Sequence, residues 1–142
     1  MLTHFTDLSV RTYELDGFGH LNHATFLNYF EFARFEALRA SGFPPDRLLA
    51  GGMGIHVVRV EVDYLREVQI DQRLSISTTP AEIRNSSLTL VQEAIDSEDS
   101  GVVFARARVV LVWVGPNGRP TRIPDEIRVA LAPRGVRGAD PE

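Results

Sequence analysis

Residues 13–41 read YELDGFGHLNHATFLNYFEFARFEALRAS, and the reading of this stretch decides the fold. It opens on an acid, Asp16, and two histidines, His20 and His23, in a segment punctuated by Gly17 and Gly19. Glycines this close together serve positive φ or a close approach to the backbone. Asn22 is a good N-cap, which places a helix start near His23. Phe26, Leu27, Tyr29, Phe30, Phe32, Ala33, Phe35, Ala37 and Leu38 then give apolar residues on nearly every face. A surface helix would show one apolar stripe, so this pattern predicts a buried helix. Gly42, followed by Pro44 and Pro45, ends it.

Outward from the helix the chain reads as strand. Before it, residues 5–14 alternate loosely and predict a first strand running up to the glycine loop. After it, residues 46–53 form a connection with a short helical turn. His56, Val58, Val60, Val62 and Tyr64 then alternate with Arg59, Glu61 and Asp63, the period of a half-buried strand. Residues 73–84 predict a strand whose Pro80 marks an edge or a bulge. Ser87 to Ile95 is another, and Val103 to Trp113 is the clearest of all. Asn117-Gly118 makes a turn, and Pro124-Asp125-Glu126 opens a short C-terminal helix. The expectation is one strand, one buried helix and four long strands in meander. That is an α+β domain with an antiparallel sheet of about five strands.

The whole chain sets limits on function. At 142 residues it is one domain's worth, expected over residues 1–135 with a flexible tail over 136–142. The net charge of −4 lacks the basic footprint of a nucleic-acid binder. The absence of cysteine excludes a disulfide framework, a cysteine nucleophile and thiolate metal sites. The N-terminus has no basic lead or continuous apolar core, and no apolar run approaches a membrane span, so a cytoplasmic protein is expected.

The stretch from Val10 to Glu36 resembles the acyl-CoA thioesterases related to 4-hydroxybenzoyl-CoA thioesterase. Their pattern is Asp-x-x-Gly-His-hydrophobic-Asn followed by Tyr/Phe-Leu-x-Tyr-Phe-Glu-x-Ala-Arg. It stands here as Asp16-Gly-Phe-Gly19-His20-Leu-Asn22 and Phe26-Leu27-Asn-Tyr29-Phe30-Glu31-Phe-Ala33-Arg34. The resemblance implies the hotdog fold, a long central helix wrapped by a curved antiparallel sheet and paired into homo-oligomers with sites at the interface. It implies hydrolysis of an acyl-CoA thioester to a carboxylic acid and free CoA. CoA belongs to the substrate and no cofactor is expected. Asp16 matches the catalytic carboxylate, and His23 matches the helix-start position whose backbone N–H polarises the thioester carbonyl. Arg84, Asn85 and Ser86 match a nucleotide-contacting segment.

The residue types suit that chemistry. A carboxylate can act as general base for water or as the nucleophile itself. A free helix N-terminus offers unpaired N–H groups and a positive dipole end to an oxyanion. Gly19 and Phe18 are candidates for contact with substrate. His20 is expected to orient the loop, with a possible catalytic part beside it. Glu31 is a structural or pocket-lining carboxylate and the second candidate for the acid. The spacing of Asp16, His20 and His23 matches no standard zinc pattern, so no metal is expected. Two rivals keep the fold. A hydratase or dehydratase of enoyl thioesters would carry Asp-x-Asn-Pro-hydrophobic-His, which Asp16-Gly-Phe-Gly-His20 lacks. A non-catalytic acyl-thioester binder would not need Asp16. The acyl group, and the choice between CoA and acyl-carrier-protein thioesters, are left open by the sequence.

Overall fold

The computed structural model describes residues 3–133. The expected tail over 136–142 lies outside them. Five strands form one antiparallel sheet: β1 (His4–Ser9), β2 (Gly54–Tyr64), β3 (Arg73–Ile83), β4 (Ser87–Asp96) and β5 (Asp99–Val114). Three helices accompany it: α1 (His23–Ala40), α2 (Pro45–Ala50) and α3 (Asp125–Leu131). The sheet curls around α1, giving the expected hotdog architecture.

The 18-residue α1 starts where its cap dictates, with the Asn22 side chain accepting the Ala24 N–H at 2.8 Å. Phe26, Tyr29, Phe30, Ala33, Ala37 and Leu38 are buried against the sheet. Ala33 and Ala37 are small enough to let the helix approach closely. Gln92 in β4 crosses this interface: its amide donates to the Phe30 carbonyl (2.9 Å) and to Thr78 Oγ1 (3.0 Å). Its oxygen accepts from Arg34 Nη1 at 3.1 Å. Each polar group of that amide is therefore satisfied, as a buried amide requires.

Four expectations need correction. The first strand ends at Ser9, not at residue 14, because Thr12–Glu14 close into a 3-10 turn. Glu14 draws the chain round: its N–H donates to the Arg11 carbonyl, and its carboxylate accepts the Arg11 N–H, each at 2.9 Å. The four later strands are not a simple meander. Their order is β1-β3-β4-β5-β2, so β2 pairs with β5 at the sheet edge and residues 65–72 carry the chain across to β3. The alternation of β2 is broken by a bulge between Val57 and Arg59. Ile55 and Val57 lie opposite Trp113 and Leu111, and Val60, Val62 and Tyr64 opposite Val109, Ala107 and Ala105, so these five face the helix. The extra residue at Val58 turns His56 to the other side. Finally, α1 is not covered all round: Leu27 (42%), Phe32 (47%) and Phe35 (38%) remain exposed. Pro80 does sit at a bulge, where the β3–β4 register shifts between Pro80 and Glu82.

Candidate active site

The glycine loop is shaped by Asp16. Its backbone N–H donates to the His20 carbonyl at 2.7 Å, and its carbonyl accepts the Gly19 N–H at 3.1 Å. Its carboxylate Oδ1 accepts two more backbone donors, Phe18 N–H (2.9 Å) and His20 N–H (3.1 Å). These bonds, first from His20 and then from Phe18, hold the Asp16 carboxyl below its ordinary range, because both favour the charged form. Asp16 is thus ionised at neutral pH. Gly19 carries φ +82°, the left-handed conformation that a glycine adopts without strain. Phe18, between the two glycines, is 88% exposed.

The loop runs into the start of α1 with one donor open. The Asn22 side chain takes the Ala24 N–H, and the Asn22 carbonyl takes those of Thr25 (3.0 Å) and Phe26 (3.3 Å). Among the described residues nothing accepts the His23 N–H. That donor stands at the positive end of an 18-residue helix. Tyr64, at the end of β2, fixes the helix start by donating its hydroxyl to the His23 carbonyl at 2.8 Å. Its ring meets those of His23 and Phe26 edge-on, at 6.2 and 5.5 Å.

Asp16, His20, His23, Phe26 and Tyr64, with residues 65–67, line one cleft of about 280 Å³. A larger hollow of about 590 Å³ lies beyond Leu65, Arg66 and Glu67, but holds neither the acid nor the open N–H. Of the residues singled out in the sequence, the fold therefore brings together Asp16, His20 and His23. Phe18 and Gly19 shape the same loop. Among the described residues no three His, Asp or Glu side chains converge as a metal would need.

Arg84, Asn85 and Ser86 are placed elsewhere. They form the β3–β4 turn, whereas the glycine loop follows β1, whose Ser9 lies opposite Arg73 at the other end of β3. The 11 residues of β3 separate the two by roughly 30 Å. The turn is braced from several sides. Arg128 donates to the Arg84 and Asn85 carbonyls (2.7 and 3.3 Å), Arg122 to Asn85 Oδ1 (3.1 Å), and Trp113 N–H to the Ser86 carbonyl (2.8 Å). The Arg84 side chain pairs with Glu82 at 2.7 Å. Glu31 is exposed on α1 and lines a separate groove with Arg34, Phe35, Ile55 and Val57. It does not reach the cleft.

Two site residues escaped the sequence. Glu14 accepts the Tyr29 hydroxyl at 2.5 Å, tying the loop entrance to α1. Partial burial pushes its carboxyl up, but the Tyr29 hydroxyl and the Arg11 donors outweigh this and hold it below the ordinary value. Burial and that same bond push the Tyr29 hydroxyl up. The Arg11/Glu14 spacing of three could have signalled the turn. Glu67, with its Oε2 3.3 Å from His20 Nε2, had no signal at all, since no motif contains it.

The match to known proteins decides the family. The family model of the Thioesterase-like superfamily covers residues 10–131, nearly all of the described chain. The chain belongs to that superfamily. An acyl-CoA thioester hydrolase, YbgC of Escherichia coli O157:H7, is 30% identical over 121 residues, 83% of this chain and 89% of the relative. The chloroplastic acyl-acyl carrier protein thioesterase ATL2 of Arabidopsis thaliana is 27% identical over 88% of this chain, which spans 66% of that protein. In fold, the DHNA-CoA thioesterase of Staphylococcus aureus superposes with a TM-score of 0.87 over 100% of this chain and 97% of its own, at 16% identity. In this thioesterase-like chain the matched span of residues 10–131 includes those that line the Asp16 cleft.

Proposed function

We propose that the protein is an acyl-CoA thioesterase whose acid is Asp16. The observation that carries the reading is that an ionised carboxylate and an unbonded helix-start N–H line the same cleft. The thioester carbonyl oxygen lies toward the His23 N–H, which strengthens its hold as negative charge develops there. Asp16 supplies the attacking oxygen, either its own or that of a water it deprotonates. The tetrahedral intermediate expels the CoA thiolate, a good leaving group. Where water attacked, this gives the carboxylic acid directly; where Asp16 attacked, it leaves an anhydride that a water hydrolyses to release the acid and restore the carboxylate. The reaction needs no cofactor, since CoA is part of the substrate. The YbgC relative supports a CoA thioester, and the ATL2 relative keeps acyl-carrier-protein thioesters in the substrate panel.

The working form is a homo-oligomer. β2 has one edge unpaired, and Val57, Val58, Val60 and Tyr64 are exposed along it. A long apolar edge strand calls for cover. A second copy pairing β2 with β2 about a two-fold axis supplies it, and closed two-fold dimers are the common solution. Antiparallel pairing sets the Gly54 end of one β2 beside the Tyr64 end of the other. The partner's Arg84–Asn85–Ser86 turn then comes toward this chain's Asp16 cleft, where arginine suits the phosphates of CoA.

Free-thiol release from aromatic, short-chain and long-chain acyl-CoAs, and from acyl-carrier-protein thioesters, tests the reading. Turnover of one class is expected. Tight binding of acyl-CoA with thiol release at background across the panel would replace it with a binding protein.

A further inference from the structure

Glu67 is the second carboxylate of the cleft, and the motif that carries Asp16 does not contain it. It stands on the connection between β2 and β3, three residues beyond Tyr64. Its Oε2 lies 3.3 Å from His20 Nε2, a contact that becomes an ion pair when the imidazole is protonated. His20 is in turn the residue that sets Asp16, through an N–H donated to its Oδ1 and a carbonyl that accepts its N–H. One residue on, the Leu21 N–H donates to the carbonyl of the fully buried Val68 at 2.8 Å.

The loop is therefore fastened to the 65–72 connection at two consecutive residues. The Leu21–Val68 bond anchors it to the core, and the His20–Glu67 contact ties it down again one residue nearer Asp16. Nothing on the outer side does so: a Cβ added at Gly17 or Gly19 meets no atom within 4 Å, and Phe18 points into solvent. Among the described residues, His20–Glu67 is the only side-chain hydrogen bond or ion pair from residues 16–20 to another element.

We propose that Glu67 is a positioning residue: held against His20, it keeps the Asp16 carboxylate and the His23 N–H at a fixed separation. A pair this exposed adds little to stability, so its effect falls on rate. A reacting group displaced by about 1 Å can lose up to about 100-fold in rate. The kinetic form of the proposal rests on the thioesterase reading; its structural form does not.

The test compares Glu67→Ala, Glu67→Gln, His20→Ala and the double variant of Glu67→Ala with His20→Ala, all in the full chain. Glu67→Ala is expected to lower kcat about tenfold with KM and the thermal midpoint unchanged. Glu67→Gln, which keeps the side chain's shape and an oxygen beside His20 Nε2, recovers most of the rate. The double variant is no slower than His20→Ala alone, because the two residues act as one. Amide exchange at Phe18 and His20 quickens in Glu67→Ala, a readout that needs no turnover. If the wild type hydrolyses nothing but this exchange still quickens, the hydrolase reading falls and the positioning role stands. Unaltered exchange, an unchanged kcat, a rise in KM alone, or a loss that adds to that of His20→Ala overturns the proposal.

Discussion

Where β1 stops and β2 finishes, the sheet ends in open valence: an ionised Asp16, an N–H at His23 with no acceptor among the described residues, and a glycine loop over solvent. At the opposite end, the β3–β4 turn is braced by residues from other elements. Arg128 and Arg122 hold its carbonyls and the Asn85 side chain, Trp113 and Ile123 donate to it, and α3 packs Ile127 and Leu131 beneath. Hydrogen-bonding groups left unmade are costly unless a ligand or water takes them, so they collect where a ligand binds. The open end is where we propose that the chemistry occurs in this chain. The closed end is a braced platform, which we propose holds a substrate's invariant part on behalf of another copy.

The contrast can be broken most severely at the β2 edge, where we propose that two copies pair. Val60→Arg puts a charge on the exposed row of β2. It is expected to leave a folded monomer by light scattering and to cut thiol release by about 100-fold, since the two ends then no longer meet. Full activity from a monomer would show that one chain holds the whole site. A smaller effect is expected at the closed end. Arg128→Ala removes two charge-assisted bonds from the turn and is expected to cost about 1–2 kcal/mol in urea unfolding, with KM for acyl-CoA rising and kcat kept. A fall in kcat at constant KM would place the closed end in the chemistry.

At the open end, Tyr64→Phe removes the hydroxyl bond to the His23 carbonyl. Stability should change by about 1 kcal/mol or less, while kcat falls a few-fold as the helix start loosens. The pH profile should show the least change. Asp16 has its folded pKa lowered, so the active carboxylate persists above its ordinary value of about 3.9 and is lost only as pH falls through the lower folded value. Glu14 is lowered too, so its stabilisation is present above its unfolded pKa and lost in the same acidic window. kcat/KM should therefore show no acid limb between about pH 5 and 8. An acid limb inside that window would point to a base other than Asp16.

The difference between the ends also marks what the sequence could tell. The open end was legible because its parts are contiguous: Asp16, Gly19, Asn22 and His23 lie within eight residues, and each has a local physical signature. The helix followed from its apolar surround and the bulge at Pro80 from a missing donor. The strand order was not legible. Period-2 alternation says that β2 is a strand but not which neighbour it takes, and pairing it with β5 instead of β3 costs only the 65–72 connection. Alternation also cannot register an inserted residue, so the bulge at Val58 sent His56 to the wrong face. Glu67 reaches His20 across 47 residues of chain, and the brace on Asn85 comes from Arg122, 37 residues away. Such contacts are set by the fold and leave no local trace.

The most direct measurement of the central claim is thiol release by Asp16→Asn on the best substrate, beside its thermal midpoint. Asparagine keeps an oxygen to accept the Phe18 and His20 N–H groups but can neither attack nor take a proton. A loss of at least about 100-fold in kcat is expected from a protein that is folded and still binds acyl-CoA. Undiminished turnover by folded Asp16→Asn would contradict it and move the search for the acid to another carboxylate.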